Sequence, residues 1–89
     1  MRVIDLDIEK MKTRSALHKY LQKILALPDH YGKNLDALYD CLSEIAEETE
    51  LVVPISVAEN NRLGDYGSRF LLVLHDAAES NKFLHIKKK

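Results

Sequence analysis

Apolar positions recur along this chain with two different periods, and the switches between them mark its elements. Between Arg2 and Ile8, Ile4, Leu6 and Ile8 alternate with Asp5 and Asp7, the period-two pattern of a half-buried strand. Leu17, Tyr20, Leu21, Ile24 and Leu25 then fall on one face of a helix. Ser15 suits its N-cap, and the helix is expected to end near Leu27 because Pro28 disfavours helical backbone in the residue before it. Asp29 to Lys33 reads as a short connector in which Gly32 is free to take a positive φ. Asn34 caps a second helix, running to about Ala46, with Leu35, Leu38, Leu42 and Ile45 as its apolar stripe, and an acidic turn from Glu47 to Glu50 follows.

Leu51 to Ile55 is a continuous apolar run suited to a middle strand buried on both faces, with Pro54 confined to its end because proline cannot donate to a ladder. A short helix is expected from Ser56 to Leu63, stopped by Gly64. Ser68 suits the cap of a final helix in which Phe70, Leu71, Val73, Leu74, Ala77 and Ala78 repeat at three and four, with Asn81 at its end. Phe83 to Ile86 reads as the last strand and Lys87 to Lys89 as a solvated tail. Strands separated by helices require crossover connections, which predicts an α/β fold with a small parallel sheet and helices packed against it, a single domain over residues 1–89.

Charge changes this picture most in the second helix. Asp29, Asp36, Asp40, Glu44, Glu47, Glu48 and Glu50 face only Lys33 in their segment, while the whole chain has a net charge of -1. At about 100° per residue, Asp36, Asp40, Glu44 and Glu47 lie opposite the leucine stripe. Like charges four residues apart cost a helix roughly 0.2 to 0.5 kcal/mol each, and only an acid in the first turn, here Asp36, gains from the helix dipole. Asp40 and Glu44 are therefore placed at some expense to stability, and a basic partner is their natural counterpart. A net-acidic chain without a basic, aromatic-interleaved stripe argues against direct nucleic-acid binding.

Composition narrows the class further. A chain of 89 residues with 46% hydrophobic and 30% charged residues is expected to fold around one modest core. Cys41 has no second cysteine to pair with, and no signal-peptide pattern or run of about 20 apolar residues is present, so a reducing, cytoplasmic setting without membrane insertion is expected. Cys41 lies beside the core stripe, as a buried and unreactive thiol would. His18, His30, His75 and His85 have no metal-ligand spacing, and no cofactor is implied. His75 and Asp76 point about 100° apart on a helix, which argues against a catalytic dyad. Tyr31 and Tyr39 suit either a core edge or a contact face.

The run Leu27-Pro28-Asp29-His30-Tyr31-Gly32-Lys33-Asn34-Leu35-Asp36-Ala37-Leu38-Tyr39-Asp40-Cys41-Leu42 resembles the barstar family, the intracellular inhibitors of barnase-type secreted ribonucleases. The order of strands and helices resembles that family along the whole chain. The resemblance implies a three-stranded parallel sheet, no catalytic activity, and a binding face made of the Asp29 to Lys33 loop and the acidic helix. It implies that Asp40 enters the enzyme's phosphate-binding pocket as a phosphate mimic and that Asp36 pairs with a rim arginine. Gly32 and Asn34 would approach the guanine-recognition side, Ser43 the contact edge, and Asp76 would stand for a peripheral glutamate of the family. His30 and Tyr39 occupy positions where the family commonly has tyrosine and tryptophan, and Ile45 replaces another aromatic residue. Tyr31 completes the expected contact set. The family's second cysteine has no counterpart, Lys82 standing in that neighbourhood.

The leading expectation is an inhibitor, monomeric when free, of a small basic extracellular ribonuclease. The alternative is an immunity or regulatory protein that binds a different basic toxin through the same face. A nuclease using His30 or His75 as base would need clustered basic groups where this segment supplies carboxylates.

Overall fold

Three short strands carry the architecture of the computed structural model, described over residues 1–59 and 63–89. They are β1 (Arg2–Asp5), β2 (Thr49–Val53) and β3 (Leu84–Lys88), all parallel and in the spatial order β1-β2-β3. Ile4 pairs with Leu51, and Leu51 with Ile86, so β2 is the middle strand. Parallel neighbours need crossovers. α1 (Arg14–Ile24) and α2 (Leu35–Ser43) join β1 to β2, and α3 (Asp65–Ser80) joins β2 to β3. Short 3-10 segments at Ile8–Lys10 and Ile55–Glu59 complete the connections. The chain is thus an α/β protein with a three-stranded parallel sheet and three helices packed on it, as its alternating periods predict. Leu17 and Leu21 of α1, Leu38 and Leu42 of α2, Phe70 and Leu74 of α3, and Leu51 and Val53 of β2 are fully buried in one core. No described helix is long and apolar enough to cross a membrane.

Several boundaries differ from the expectation, each for a local reason. β1 ends at Asp5, although Leu6 still donates to the Val52 carbonyl at 2.9 Å. Asp7 then accepts the Glu9 N–H at 3.0 Å and turns the chain into the first 3-10 segment instead of prolonging the strand to Ile8. Thr13, not Ser15, caps α1, its hydroxyl accepting the Ala16 N–H at 3.1 Å. Both residues satisfy the capping rule, and the earlier start lets α1 follow directly on the buried Met11.

β2 begins at Thr49, and its burial alternates: Thr49, Leu51 and Val53 are buried, whereas Glu50 and Val52 are half-buried. It is therefore sealed on one face and only partly covered on the other. The expected helix over Ser56 to Leu63 is a 3-10 segment as far as Glu59, and residues 60–62 lie outside the described residues. α3 starts at Asp65, after a Gly64 N-cap that makes no side-chain hydrogen bond, so Ser68 is inside the helix and does not cap it. The early start brings Gly67 against the 3-10 backbone, where an added Cβ would lie 2.1 Å from the Val57 carbonyl oxygen. Lys87 and Lys88 are ladder residues opposite Val52 and Val53, and the Lys89 ammonium meets the Asp5 carboxylate at 2.5 Å, so the lysines do not form a free tail.

Candidate functional site

The end of α1 aims the loop that follows it. Leu27 donates to the Gln22 carbonyl at 2.9 Å and Ala26 to that of Lys23 at 3.3 Å, a Schellman arrangement closed by Ala26 at φ 52. This motif, more than Pro28, stops the helix, and it does so at Ile24, earlier than expected. The Pro28 carbonyl accepts both the Tyr31 N–H at 2.9 Å and the Gln22 amide at 3.0 Å, which fixes the next turn. Lys33, not Gly32, takes the left-handed conformation, at φ 54. Gly32 is needed for closeness: a Cβ there would be 3.1 Å from the Asn34 amide nitrogen and 3.3 Å from the Ala37 methyl.

Asn34 is the hinge between loop and helix. Its side-chain oxygen accepts the Ala37 N–H at 2.8 Å, capping α2, while its amide donates to the Gly32 carbonyl at 3.2 Å. The leucines Leu35, Leu38 and Leu42 are buried, which leaves Asp36, Asp40 and Glu44 exposed. The helix stops at Ser43, short of Ala46. Asn81, buried at the end of α3, donates to the carbonyls of Leu42 at 3.0 Å and Ile45 at 2.8 Å, satisfying the open end of α2 from across the fold. Glu47 is consequently off the helix, where it pairs with Arg2 at 3.5 Å, and Glu48 pairs with His85 at 2.7 Å. Asp36, Asp40 and Glu44 have no ion-pair partner among the described residues.

Beside α2 opens a cleft of about 450 Å³. His30, Asp40 and Glu44 lie among its polar lining, and Leu27, Cys41 and Ile45 among its apolar lining. Cys41 is half-buried, and burial together with the Glu44 and Asp40 carboxylates pushes its thiol pKa up, away from nucleophile behaviour. The cleft thus sets carboxylates beside apolar side chains, a surface complementary in charge to a cationic group.

The expected contact residues divide by location. His30, Gly32, Asn34, Asp36 and Asp40 are exposed along the loop and the outer side of α2. Tyr39 is half-buried, its hydroxyl 2.9 Å from the Ser80 hydroxyl of α3. Ser43 donates its hydroxyl to the Tyr39 carbonyl at 2.8 Å, so that donor is committed within the helix. Asp76 is exposed one turn before Ser80, on the same side of α3. Tyr31 lies apart from these, only 5% exposed, with its hydroxyl 2.5 Å from His18 Nδ1. His18 is 2% exposed and meets the Tyr66 hydroxyl through Nε2 at 2.6 Å. Burial lowers the His18 pKa and raises those of Tyr31 and Tyr66, so all three are neutral and bond α1, the loop and α3 together.

His18 and Asn81 are the supports that the sequence pattern missed. A histidine flanking Leu17 on the buried side of α1 was the available signal for the first; nothing local marks the second. Among the described residues, His75, Asp76 and Glu79 form the grouping of possible metal donors, their ligand atoms within 4.8 Å of one another, and all three are exposed.

The family model described as Barstar (barnase inhibitor) matches residues 1–87. A protein of Bacillus subtilis (strain 168) named "Putative ribonuclease inhibitor YrdF" is 37% identical over 83 residues, covering 92% of this chain and 91% of that protein. With a match across almost every residue of both chains and the three-stranded parallel sheet in place, the chain belongs to the barstar family of barnase inhibitors, a family of non-catalytic proteins.

Proposed function

We propose that this protein inhibits a small basic extracellular ribonuclease of the barnase type by covering its active site with α2 and the preceding loop. The observation that carries this reading is the row of exposed carboxylates Asp36, Asp40 and Glu44, without an ion-pair partner among the described residues, on a helix whose other side is anchored by Leu35, Leu38 and Leu42. An RNA-cleaving site must hold a phosphodiester with cationic side chains, and a carboxylate presented at the same point makes short charge-assisted bonds to them. Asp40 is the central group, at the mouth of the cleft and flanked by Asp36 and Glu44. Asp36, Gly32 and Asn34 extend the contact along the loop, Tyr39, Ser43 and Asp76 extend it toward α3, and His30 lies at the cleft rim. Tyr31 acts from beneath by fixing the loop through His18.

Rigidity supports this role. Caps at both ends of α2, from Asn34 and Asn81, hold the carboxylates in place before a partner arrives, which limits the ordering cost of association. The test is titration of the purified protein into an RNA-cleavage assay of a barnase-type ribonuclease. Stoichiometric loss of cleavage supports the proposal, and uninhibited cleavage at excess protein refutes it. Inhibition confined to an unrelated basic toxin would transfer the same face to a different partner.

A further inference from the structure

A second charged feature lies where α1 and α2 begin, and it has the opposite sign. Arg14, Ser15, His18, Lys33, Asn34 and Tyr66 line an open surface cavity of about 400 Å³. The Arg14 guanidinium carbon is 4.4 Å from the centroid of the Tyr66 ring, and that of Arg69 is 5.7 Å from the same centroid. Arg14, Lys33 and Arg69 are exposed, and none of them forms an ion pair among the described residues. Among the described residues, no carboxylate lines the cavity. Two cations at one cavity, with a third on the ring that forms its wall, repel one another, and none of them is held by an ion pair among the described residues.

The surroundings favour a negative charge electrostatically. Stacking on Tyr66 limits the freedom of the Arg14 guanidinium while leaving its N–H edges available. Arg14 and Ser15 open α1, and Asn34 caps α2, so the positive ends of two helix dipoles add to the side-chain charges. The floor is neutral and fixed, because His18 is held by the Tyr31 and Tyr66 hydroxyls. A guanidinium fork beside a lysine point charge matches the several oxygens of a tetrahedral oxyanion. Stacking of a nucleobase on Tyr66 is excluded, since the ring is only 7% exposed and already carries Arg14. We propose that this cavity is an oxyanion site that takes a phosphate group through Arg14 and Lys33. The site does not depend on the inhibitory reading, although Lys33, the last residue of the loop before α2, and Asn34 border both surfaces.

The experiment follows backbone amide resonances of the full chain as sodium phosphate, and separately a nucleoside 5′-monophosphate, replaces chloride at constant ionic strength. Saturable shifts centred on Ser15 and Asn34 are expected. The double variant Arg14→Gln/Lys33→Gly should bind at least about ten-fold more weakly, since each charge-assisted bond lost exceeds one factor of ten. Glycine suits the positive φ of Lys33, so the fold is retained. Lys23→Gln, on α1 but outside this cavity, should leave binding unchanged. Equal affinity for both ligands would show that the phosphate group alone is read; tighter nucleotide binding would identify a phosphorylated nucleoside as the ligand. Absence of a saturable response, or a response that survives the double substitution, would overturn the proposal.

Discussion

Acidification should destabilise this protein through His18. The ring is 2% exposed, with a tyrosine hydroxyl 2.5 Å from one nitrogen and another 2.6 Å from the other. A neutral imidazole suits these partners, donating from one nitrogen and accepting at the other. Protonation would create a buried cation with no carboxylate at ion-pair distance among the described residues, and burial keeps the pKa below its ordinary 6.5. The unfolded chain then binds a proton below pH 6.5 that the folded chain refuses, so this part of the stability is present above that pH and is lost as pH falls toward the folded pKa. The slope of that loss cannot exceed about 1.4 kcal/mol per pH unit, the limit set by one proton. Urea unfolding followed by circular dichroism between about pH 7.5 and 5.5 measures it, with His18→Gln as the non-titrating comparison. The variant should be less stable at neutral pH, because tyrosine hydroxyls lose a matched partner, but its stability should depend less on pH. Parallel pH dependences for the two proteins would refute the reasoning.

Asp40→Ala should weaken ribonuclease binding by at least about 2 kcal/mol in calorimetry, and Glu47→Ala by under about 1 kcal/mol, since Glu47 is off the helix and paired with Arg2. Equal losses would reduce the acidic segment to a diffuse field. Association should slow markedly between about 0.01 M and 0.15 M salt, as the screening length falls from ~30 Å to ~8 Å, while dissociation changes much less; stopped-flow rates indifferent to salt would remove steering. Ala26→Gly should raise stability by about 1 kcal/mol by relieving the positive φ, and an unchanged urea midpoint would deny that strain. Gly67→Ala should cost about 2 kcal/mol or more, because its methyl would meet the Val57 carbonyl; a neutral outcome would mean that α3 shifts freely.

What could be read from the chain alone were features whose causes are local. The leucine period of α2 and the acids opposite it depend only on helical geometry. The Asn34 cap depends on a side chain reaching a backbone N–H three residues on. The parallel sheet follows from the alternation of strands and helices, since crossovers leave few other topologies. Local rules also failed where they were ambiguous: Thr13 and Ser15 both suit a cap, and of Gly32 and Lys33 it is Lys33 that takes the left-handed position, while Gly32 sits close against Ala37.

Other features were decided only when the chain closed on itself. The pairing of His18 with Tyr31 and Tyr66 spans 13 and 48 residues, and Asn81 reaches the end of α2 across 36 to 39. Glu47 and Glu48 read as part of the acidic field, yet Arg2 and His85 of the neighbouring strands pair with them, leaving Asp36, Asp40 and Glu44 as its helical members with no ion pair among the described residues. Arg14 and Lys33 belong to different elements and share a cavity because two helices begin at the same place. A periodic pattern determines which face of an element is buried, but the partner across that face is chosen by topology and register, and those set which charges remain unpaired.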